Sequence, residues 1–145
     1  MDDSEKTIKN IFELIPAITL TFIKPFEQKN SFPELGKSHI RSLIYLKLDG
    51  PTIMSKLSNR IELEKGSFTC VAKYLIENGL VQSMRPESDK RRTMLSLTEK
   101  GDSLAISLMT EHRHFIMNQI DKLGNKERDE FTTALETVLK HICNM

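Results

Sequence analysis

The sequence has few of the residues that build cross-links, metal centres or membrane spans. Its two cysteines, Cys70 and Cys143, stand 73 positions apart and match no disulfide or metal-binding spacing. No apolar run approaches the roughly 18 residues that a membrane-spanning helix needs. The acidic, polar start MDDSEKTIKN is not a secretory signal. We therefore expect a cytoplasmic protein that does not associate with a membrane.

The sequence also lacks the common motifs of catalysis. It has no glycine-rich phosphate loop, no Gly-x-Ser-x-Gly and no His-Glu-x-x-His. Among its four histidines, His112 and His114 lie two positions apart on a predicted helix and so point in different directions. We expect no catalytic residue, no metal and no cofactor, and the chain is not expected to be an enzyme.

Charge is nearly balanced over the chain but unevenly distributed. The formal net charge is +1 for the whole sequence. Residues 53–102 carry +2, whereas residues 1–52 carry 0 and residues 103–145 carry −1. This excess of basic residues in the middle is modest and would not by itself suggest DNA binding.

Apolar residues recur at helical spacing on both sides of a shorter, mixed region. They predict helices over residues 7–28, 37–47, 54–61 and 65–78, a long helix from Thr98 to 123, and a last helix that runs to the C-terminus. Pro16 lies inside the first helix and should bend it. Gly79 is well placed to end the helix over 65–78, and Thr52 is expected to cap or precede the helix over 54–61. Alternating residues predict two short strands, over 80–85 and 92–97.

The helix over 65–78 and the two strands give the outline of a winged helix. A turn-rich tip between the strands closes on Asp89-Lys90-Arg91-Arg92. In such a fold the helix suits the major groove of DNA, and the basic hairpin reaches the flanking backbone or the minor groove. The predicted fold class is mainly α: a winged helix-turn-helix core of three helices and a two-stranded β wing, with further helices at both ends.

Four segments, in this order and spacing, resemble the MarR family of winged-helix transcriptional regulators. They are Gly66-Ser67-Phe68-Thr69, Leu75-x-x-x-Gly79-Leu80-Val81, Asp89-x-Arg91 and Leu97-Thr98-x-Lys100-Gly101. Each segment alone is common, but the set is specific. The resemblance implies a sequence-specific DNA-binding regulator, a ligand-responsive repressor that acts as a homodimer on a pseudo-palindromic operator.

Candidate DNA-contacting residues lie on the predicted recognition helix and at the wing tip: Ser67, Phe68, Thr69, Lys73, Lys90, Arg91 and Arg92. Hydroxyl and lysine side chains can reach phosphates or base edges, and an arginine at the tip can enter a narrow minor groove. The resemblance assigns that last role to Arg91, with Asp89 bracing the wing through an ion pair. The alternatives are a solvated helix face and a charged tip that keeps the hairpin soluble.

Two positions depart from the family pattern. Many relatives carry arginine where this chain has Cys70 and Tyr74. The departure argues against guanine readout by this helix and favours readout of DNA shape, or weaker binding.

The helices at both ends carry more large apolar residues than one small protomer easily buries. We interpret residues 1–34 and 103–145 as a dimerisation region and residues 35–102 as the DNA-binding winged helix-turn-helix. The alternative is that the end helices are ordinary core helices. The resemblance implies the same two-fold dimer.

The resemblance implies a cleft for a small aromatic or phenolic ligand between the dimer region and the winged core. Four aromatic residues could line this cleft: Phe12, Phe22, Phe26 and Tyr45. Core or interface packing is the alternative role for each. The expected partners are thus double-stranded DNA, a second copy of the chain and such a ligand. A second interpretation of function stays open, in which the winged helix binds a protein partner and has lost operator binding.

Overall fold

The computed structural model describes all 145 residues, which form two compact units. The central unit is Pro25–His112, and the terminal unit combines Met1–Lys24 with Arg113–Met145. The helices are α1 Asp3–Ile18, a π-helical segment Thr19–Ile23, α2 Lys24–Gln28, α3 Lys37–Asp49, α4 Met54–Arg60, α5 Lys65–Glu77, α6 Glu99–Ile120 and α7 Asn125–Ile142. The strands are β1 Thr52–Ile53, β2 Val81–Met84 and β3 Met94–Leu97. No helix is long and apolar enough to cross a membrane.

The core of the central unit is built from the apolar faces of α3, α4, α5 and α6 and one face of the sheet. Its most completely buried large side chains are Ile40, Leu43, Leu57, Phe68, Leu75, Leu95 and Leu108. On the helices they recur at spacings of three and four, which place them along one face of each helix. The predicted mainly α, winged-helix fold class is confirmed.

The sheet has three strands in the order β1-β3-β2, one more than the sequence predicts. Thr52 does not cap α4 but pairs with Leu95 of β3, and the Met54 N–H donates to the Thr93 carbonyl at 2.8 Å. A strand of two residues is too short for alternating apolar and polar residues to reveal it in the sequence. It forms where the edge of β3 is available for pairing. Through β1, the start of α4 is tied to the wing.

The first predicted helix, over 7–28, departs from α geometry after Pro16 rather than at it. Pro16 lies inside α1, and the π-helical segment Thr19–Ile23 follows α1 directly. In this wider turn the Lys24 N–H donates to the Thr19 carbonyl, five residues back. Wider turns of this kind are usually confined to a single turn inside a longer helical run, as here.

The terminal unit leaves its apolar residues largely exposed in the single chain. Neither α1 nor α7 has a buried side chain. The large apolar side chains that these two helices expose are Ile8, Ile11, Phe12, Leu14, Ile15, Val138, Leu139 and Ile142. Within this unit, Phe22 packs against Phe131 with ring centroids 5.9 Å apart. Exposed apolar residues at helical spacing on two helices indicate a face that another surface covers.

The end of α5 and the start of α6 are joined by hydrogen bonds, a feature we call the α5–α6 junction (residues 78–80 and 98–101). Gly79 has φ +68, the left-handed conformation that suits glycine at a helix end. Thr98 is the residue before α6, and its hydroxyl donates to the Gly79 carbonyl and accepts from the Gly101 N–H. The Lys100 ammonium donates to the Asn78 carbonyl at 3.0 Å, where the C-terminal end of α5 favours a cation.

Gly101 is the tightest point of the α5–α6 junction. A Cβ atom at this position would lie 1.8 Å from the carbonyl oxygen of Leu80. That carbonyl also accepts the Thr98 N–H at 3.1 Å, so it cannot move without breaking the junction. Only glycine allows the first turn of α6 to lie this close to the backbone at the end of α5.

The Gly101→Ala substitution should therefore lower the free energy of unfolding by about 1–3 kcal/mol or more, since overpacking usually costs this much. The matched control is Gly66→Ala, because a Cβ at Gly66 meets nothing within 4 Å. That control should leave stability unchanged or raise it slightly, since alanine is the better helix former. Urea unfolding followed by circular dichroism measures both. Equal stability of the two variants would contradict the close approach.

Candidate nucleic-acid interface

The turn between α4 and α5 sets the direction of the second helix of the helix-turn-helix. Glu62 adopts φ +57 in this turn, and the Leu63 N–H donates to the Ser58 carbonyl at 2.9 Å. A non-glycine residue with this φ is strained by roughly 1–2 kcal/mol. The core packing of Leu57 and Ile61, which are 1% and 4% exposed, holds the turn in that conformation.

Helix α5 has a buried face and a polar face, and the structure corrects one predicted contact residue. Phe68 is only 1% exposed and lies in the core. Its side chain therefore supports α5 from inside and does not face a ligand. Ser67, Thr69, Cys70 and Lys73 are exposed along the other side of the helix.

The polar groups of α5 are only lightly engaged within the protein. The Thr69 hydroxyl donates to the Lys65 carbonyl at 2.9 Å, which leaves its oxygen free to accept. The Lys73 ammonium lies 3.9 Å from the Glu77 carboxylate, and its side chain is 72% exposed. An ion pair that long and that exposed contributes little to stability, so Lys73 can turn to another anion at small cost.

The wing tip is organised around one carboxylate. One oxygen of Asp89 accepts the Arg91 backbone N–H at 3.0 Å, and the other lies 3.3 Å from Nε of Arg92. Lys90 and Arg91 are exposed, and neither forms a salt bridge. The tip therefore presents the side chains of Lys90 and Arg91 to the surroundings while Arg92 is held against Asp89.

A hollow of about 340 Å³ lies between α4, the start of α5 and the wing. It is lined by Ile53, Met54, Ser55, Ser58, Lys65, Phe68, Thr69, Arg91, Arg92 and Thr93. Three of these residues, Lys65, Arg91 and Arg92, are basic, and none of the lining residues is acidic. No side chain caps the N-terminus of α5, so its first backbone N–H groups can bind an anion.

Lys65 is the basic residue of this hollow that sequence reasoning did not single out. It is the first residue of α5, where its charge adds to the positive end of the helix dipole. The sequence pattern predicts that a helix begins at Lys65, but it does not show which residues lie near that helix start. Lys65 lines the same hollow as the wing arginines because α5 packs against the sheet.

The four residues predicted to line a ligand cleft are divided between the two units. Phe12 is 74% exposed on α1, and Phe22 packs against Phe131 in the same terminal unit. In the central unit, Phe26 is 2% exposed and stacks on His112 with ring centroids 4.2 Å apart, and Tyr45 lies under the Arg60 guanidinium at 4.4 Å. Each aromatic ring thus has a described packing role or is exposed, and the cleft remains a prediction.

No group of three or more His, Cys, Asp or Glu side chains is arranged to hold a metal ion. Cys70 and Cys143 are both exposed and unpaired.

Comparisons with known proteins agree on the family of this chain. The family model for the MarR family matches residues 37–93, which extend from the first residue of α3 to the wing. The HTH-type transcriptional regulator PetP of Rhodobacter capsulatus is 31% identical over 106 residues, which is 73% of this chain and 64% of PetP. The match thus covers slightly less than two thirds of that relative.

Solved structures show the same fold at lower identity. A MarR family protein from Bacillus stearothermophilus superposes on this chain with a TM-score of 0.79 at 19% identity. The superposition covers 99% of each of the two chains. BpsR of Bordetella bronchiseptica, whose DNA binding is regulated by 6-hydroxynicotinic acid, superposes with a TM-score of 0.69 at 16% identity, over 89% of this chain and 98% of BpsR. With the winged helix and the sequence match in agreement, this chain belongs to the MarR family.

Proposed function

We propose that this protein is a sequence-specific, DNA-binding transcriptional regulator that acts as a homodimer. The observation that carries the proposal is the basic hollow, which is lined by Lys65, Arg91 and Arg92 beside the uncapped N-terminus of α5. Cationic side chains next to unsatisfied backbone N–H groups suit a phosphate of the DNA backbone. A DNA-binding protein works in the compartment that holds the DNA, so a cytoplasmic setting is part of the proposal.

In the proposed complex the contacts divide into two kinds. Lys65 and Arg92 of the hollow bind the phosphate backbone and fix the register of the protein on the duplex. The exposed side chains of Ser67, Thr69 and Lys73 lie along the outer face of α5, the face that a recognition helix turns toward base edges. Arg91, exposed at the wing tip and without an ion pair, reaches the adjacent minor groove, where a narrow A·T-rich groove attracts it most.

Arg91→Ala should weaken binding to the operator at low salt and reduce the slope of log affinity against log salt concentration by about one phosphate equivalent. Discrimination between A·T-rich and G·C-rich flanks should fall as well, because groove width sets the potential that the arginine meets. Fluorescence anisotropy over a salt series, with a duplex selected by the parent protein from a random library, measures both effects.

The matched control for this experiment is Lys126→Ala, which removes one positive charge from the exposed first turn of α7 in the terminal unit. It should leave the salt slope and the flank preference unchanged. If Arg91→Ala binds as tightly as the parent protein at every salt concentration, the wing is not a DNA contact. The winged helix would then be better explained as a module that binds a protein partner.

The homodimer is supported by the apolar faces of the terminal unit. Leu139 and Ile142 of α7 are 59% and 58% exposed in the single chain, and Ile8 and Ile11 of α1 are each 55% exposed. Burial of such side chains contributes roughly 25 cal/mol for each Å² removed from water. A second copy is the occupant that brings two DNA-binding units to one pseudo-palindromic site.

Leu139→Glu should shift the protein from dimer to monomer, because it places a carboxylate in the proposed apolar interface. The matched control is Leu48→Glu on α3 of the central unit, where the leucine is 58% exposed. The control carries the same chemical change at the same exposure and should remain dimeric. Sedimentation velocity distinguishes the two states. Dimers of equal stability for both variants would show that α7 is not in the interface.

We further propose that the regulator is a repressor whose DNA binding responds to a small aromatic acid. The support comes from BpsR, which shares the fold and whose DNA binding is regulated by 6-hydroxynicotinic acid, and from the aromatic residues Phe12, Phe22, Phe26 and Tyr45. The proposal is of binding, not of chemistry.

A panel of phenolic and aromatic carboxylic acids, beginning with 6-hydroxynicotinic acid, should contain a compound that binds and lowers operator affinity. Calorimetry identifies binding, and anisotropy with the selected duplex measures the change in affinity. By linkage, a ligand that lowers DNA affinity must itself bind less tightly to the DNA complex. Equal operator affinity with and without a tightly bound compound would exclude this regulation for that compound.

A further inference from the structure

One contact joins the start of α3 to the outer side of α5, within the central unit. The imidazole of His39, in the first turn of α3, packs on the phenol ring of Tyr74 of α5 with ring centroids 4.3 Å apart and a tilt of 40°. Both side chains are half-buried. Tyr74 is one of the two positions at which the family resemblance leads one to expect arginine, and its side chain here makes an internal contact.

His39 also caps its own helix. The backbone N–H of Gly36, the residue before α3, donates to Nδ1 of His39 at 3.0 Å. In a capping box the third residue of the helix, usually Glu or Gln, accepts this same hydrogen bond. Here an imidazole takes that place, and Nδ1 can accept only when it carries no proton.

Protonation would break the hydrogen bond and disturb the ring contact. A proton on Nδ1 would place two N–H groups against each other at 3.0 Å, so the ring would have to turn away from Gly36. Turning the ring alters its packing on Tyr74. The new positive charge would also stand at the positive end of the α3 dipole, which disfavours it further.

We propose that His39 and Tyr74 form a protonation-sensitive positioning pair, which holds the start of α3 against the recognition helix α5 while the imidazole is neutral and releases it when the imidazole is charged. As a device that acts on DNA binding, the pair rests on the function proposed above. It adds to that function a dependence of operator selectivity on pH that the hydroxyl, lysine and arginine contacts do not have.

The direction of the pH effect follows from the surroundings of the ring. Burial lowers the pKa of His39 from its ordinary value of 6.5, so the fold favours the neutral form. The stabilisation is complete above about pH 6.5 and is lost as the pH falls through the lowered pKa. The loss of the pair is therefore expected on the acidic side.

Other ionisable groups do not reverse this direction. Tyr74 is the titratable side chain of α5 that packs on the ring. On α3 itself, Arg41 lies two positions from His39, so it points elsewhere, and it pairs with Glu27 at 2.7 Å. The elements α4 and β3 also pack against α3, but burial is the single cause of the lowered pKa.

The test compares the parent protein with His39→Gln, since glutamine keeps an acceptor for the Gly36 N–H but does not titrate. For each protein, affinity is measured at about pH 7.5 and at a pH below the midpoint that NMR titration gives for His39 in the parent. Both a duplex selected by the parent from a random library and a scrambled duplex of equal length are used. The ratio of the two affinities cancels the general gain in positive charge at low pH.

In the parent, the ratio of specific to non-specific affinity should fall by about fivefold at the lower pH. A change of about fivefold in an equilibrium constant is the typical net effect of losing one hydrogen bond. His39→Gln should keep a constant ratio, and His39→Ala should show the lower ratio at both pH values. The control His114→Gln, at an exposed position of α6, should respond to pH as the parent does. A parent without this fall, or a His39→Gln variant that falls in parallel with it, overturns the proposal.

A second measurement does not depend on DNA. In the free protein, NMR titration of the histidine rings should show the Tyr74 ring resonances moving with the midpoint of His39, and this midpoint should lie below the ordinary value of 6.5. Tyr74 resonances that stay fixed while His39 titrates would overturn the pair. If the parent selects no duplex at all, the proposed function fails, and this titration still decides whether the pair exists.

Discussion

The rest of the central unit depends on how closely α6 approaches the backbone at the end of α5. The Leu80 carbonyl, which accepts the Thr98 N–H, lies where a side chain on Gly101 would have to stand. Because Gly79 turns the chain through a positive φ, β2 begins directly after α5. Helix α5, the wing and the first turn of α6 are thus fixed to one another by backbone geometry. A hydrogen-bonded backbone contact holds a position more firmly than exposed side chains can.

This fixed geometry explains how a nearly neutral chain can offer a site for a polyanion. The net charge is only +1, so long-range attraction contributes little. The folded chain instead concentrates charge locally, because β1 draws the start of α4 to the wing while the uncapped start of α5 adds unsatisfied N–H groups. Lys65 and Arg91, 26 positions apart in the sequence, line one hollow. In the proposed complex, affinity comes from this concentration and not from total charge.

Cys70 and Tyr74, the two positions at which the resemblance predicts arginine, have different surroundings in the folded chain. Cys70 is exposed and unpaired on α5, where it offers a weak donor in place of a guanidinium. Tyr74 is half-buried against His39 and so serves the interior of the unit. Neither residue supplies the bidentate donors that guanine readout uses. In the proposed complex, discrimination therefore falls to the hydroxyl groups of α5, to the wing and to the shape of the duplex.

The sequence by itself determined the helices, the wing strands and the family, since these depend on local periodicity and on short segments. Helix α3 begins at Lys37 and α5 at Lys65, as the pattern predicts. The sequence could not determine strand β1, the hollow that Lys65 shares with Arg91 and Arg92, or the contact of His39 with Tyr74. Each of these joins residues far apart in the chain. The inward position of Phe68 could be read from helical spacing, but its 1% exposure was needed to remove it from the interface. Pairing, burial and charge clustering are properties of the packed chain, and only the tertiary structure decided them, because periodicity reports which face of a segment is apolar but not what that face meets.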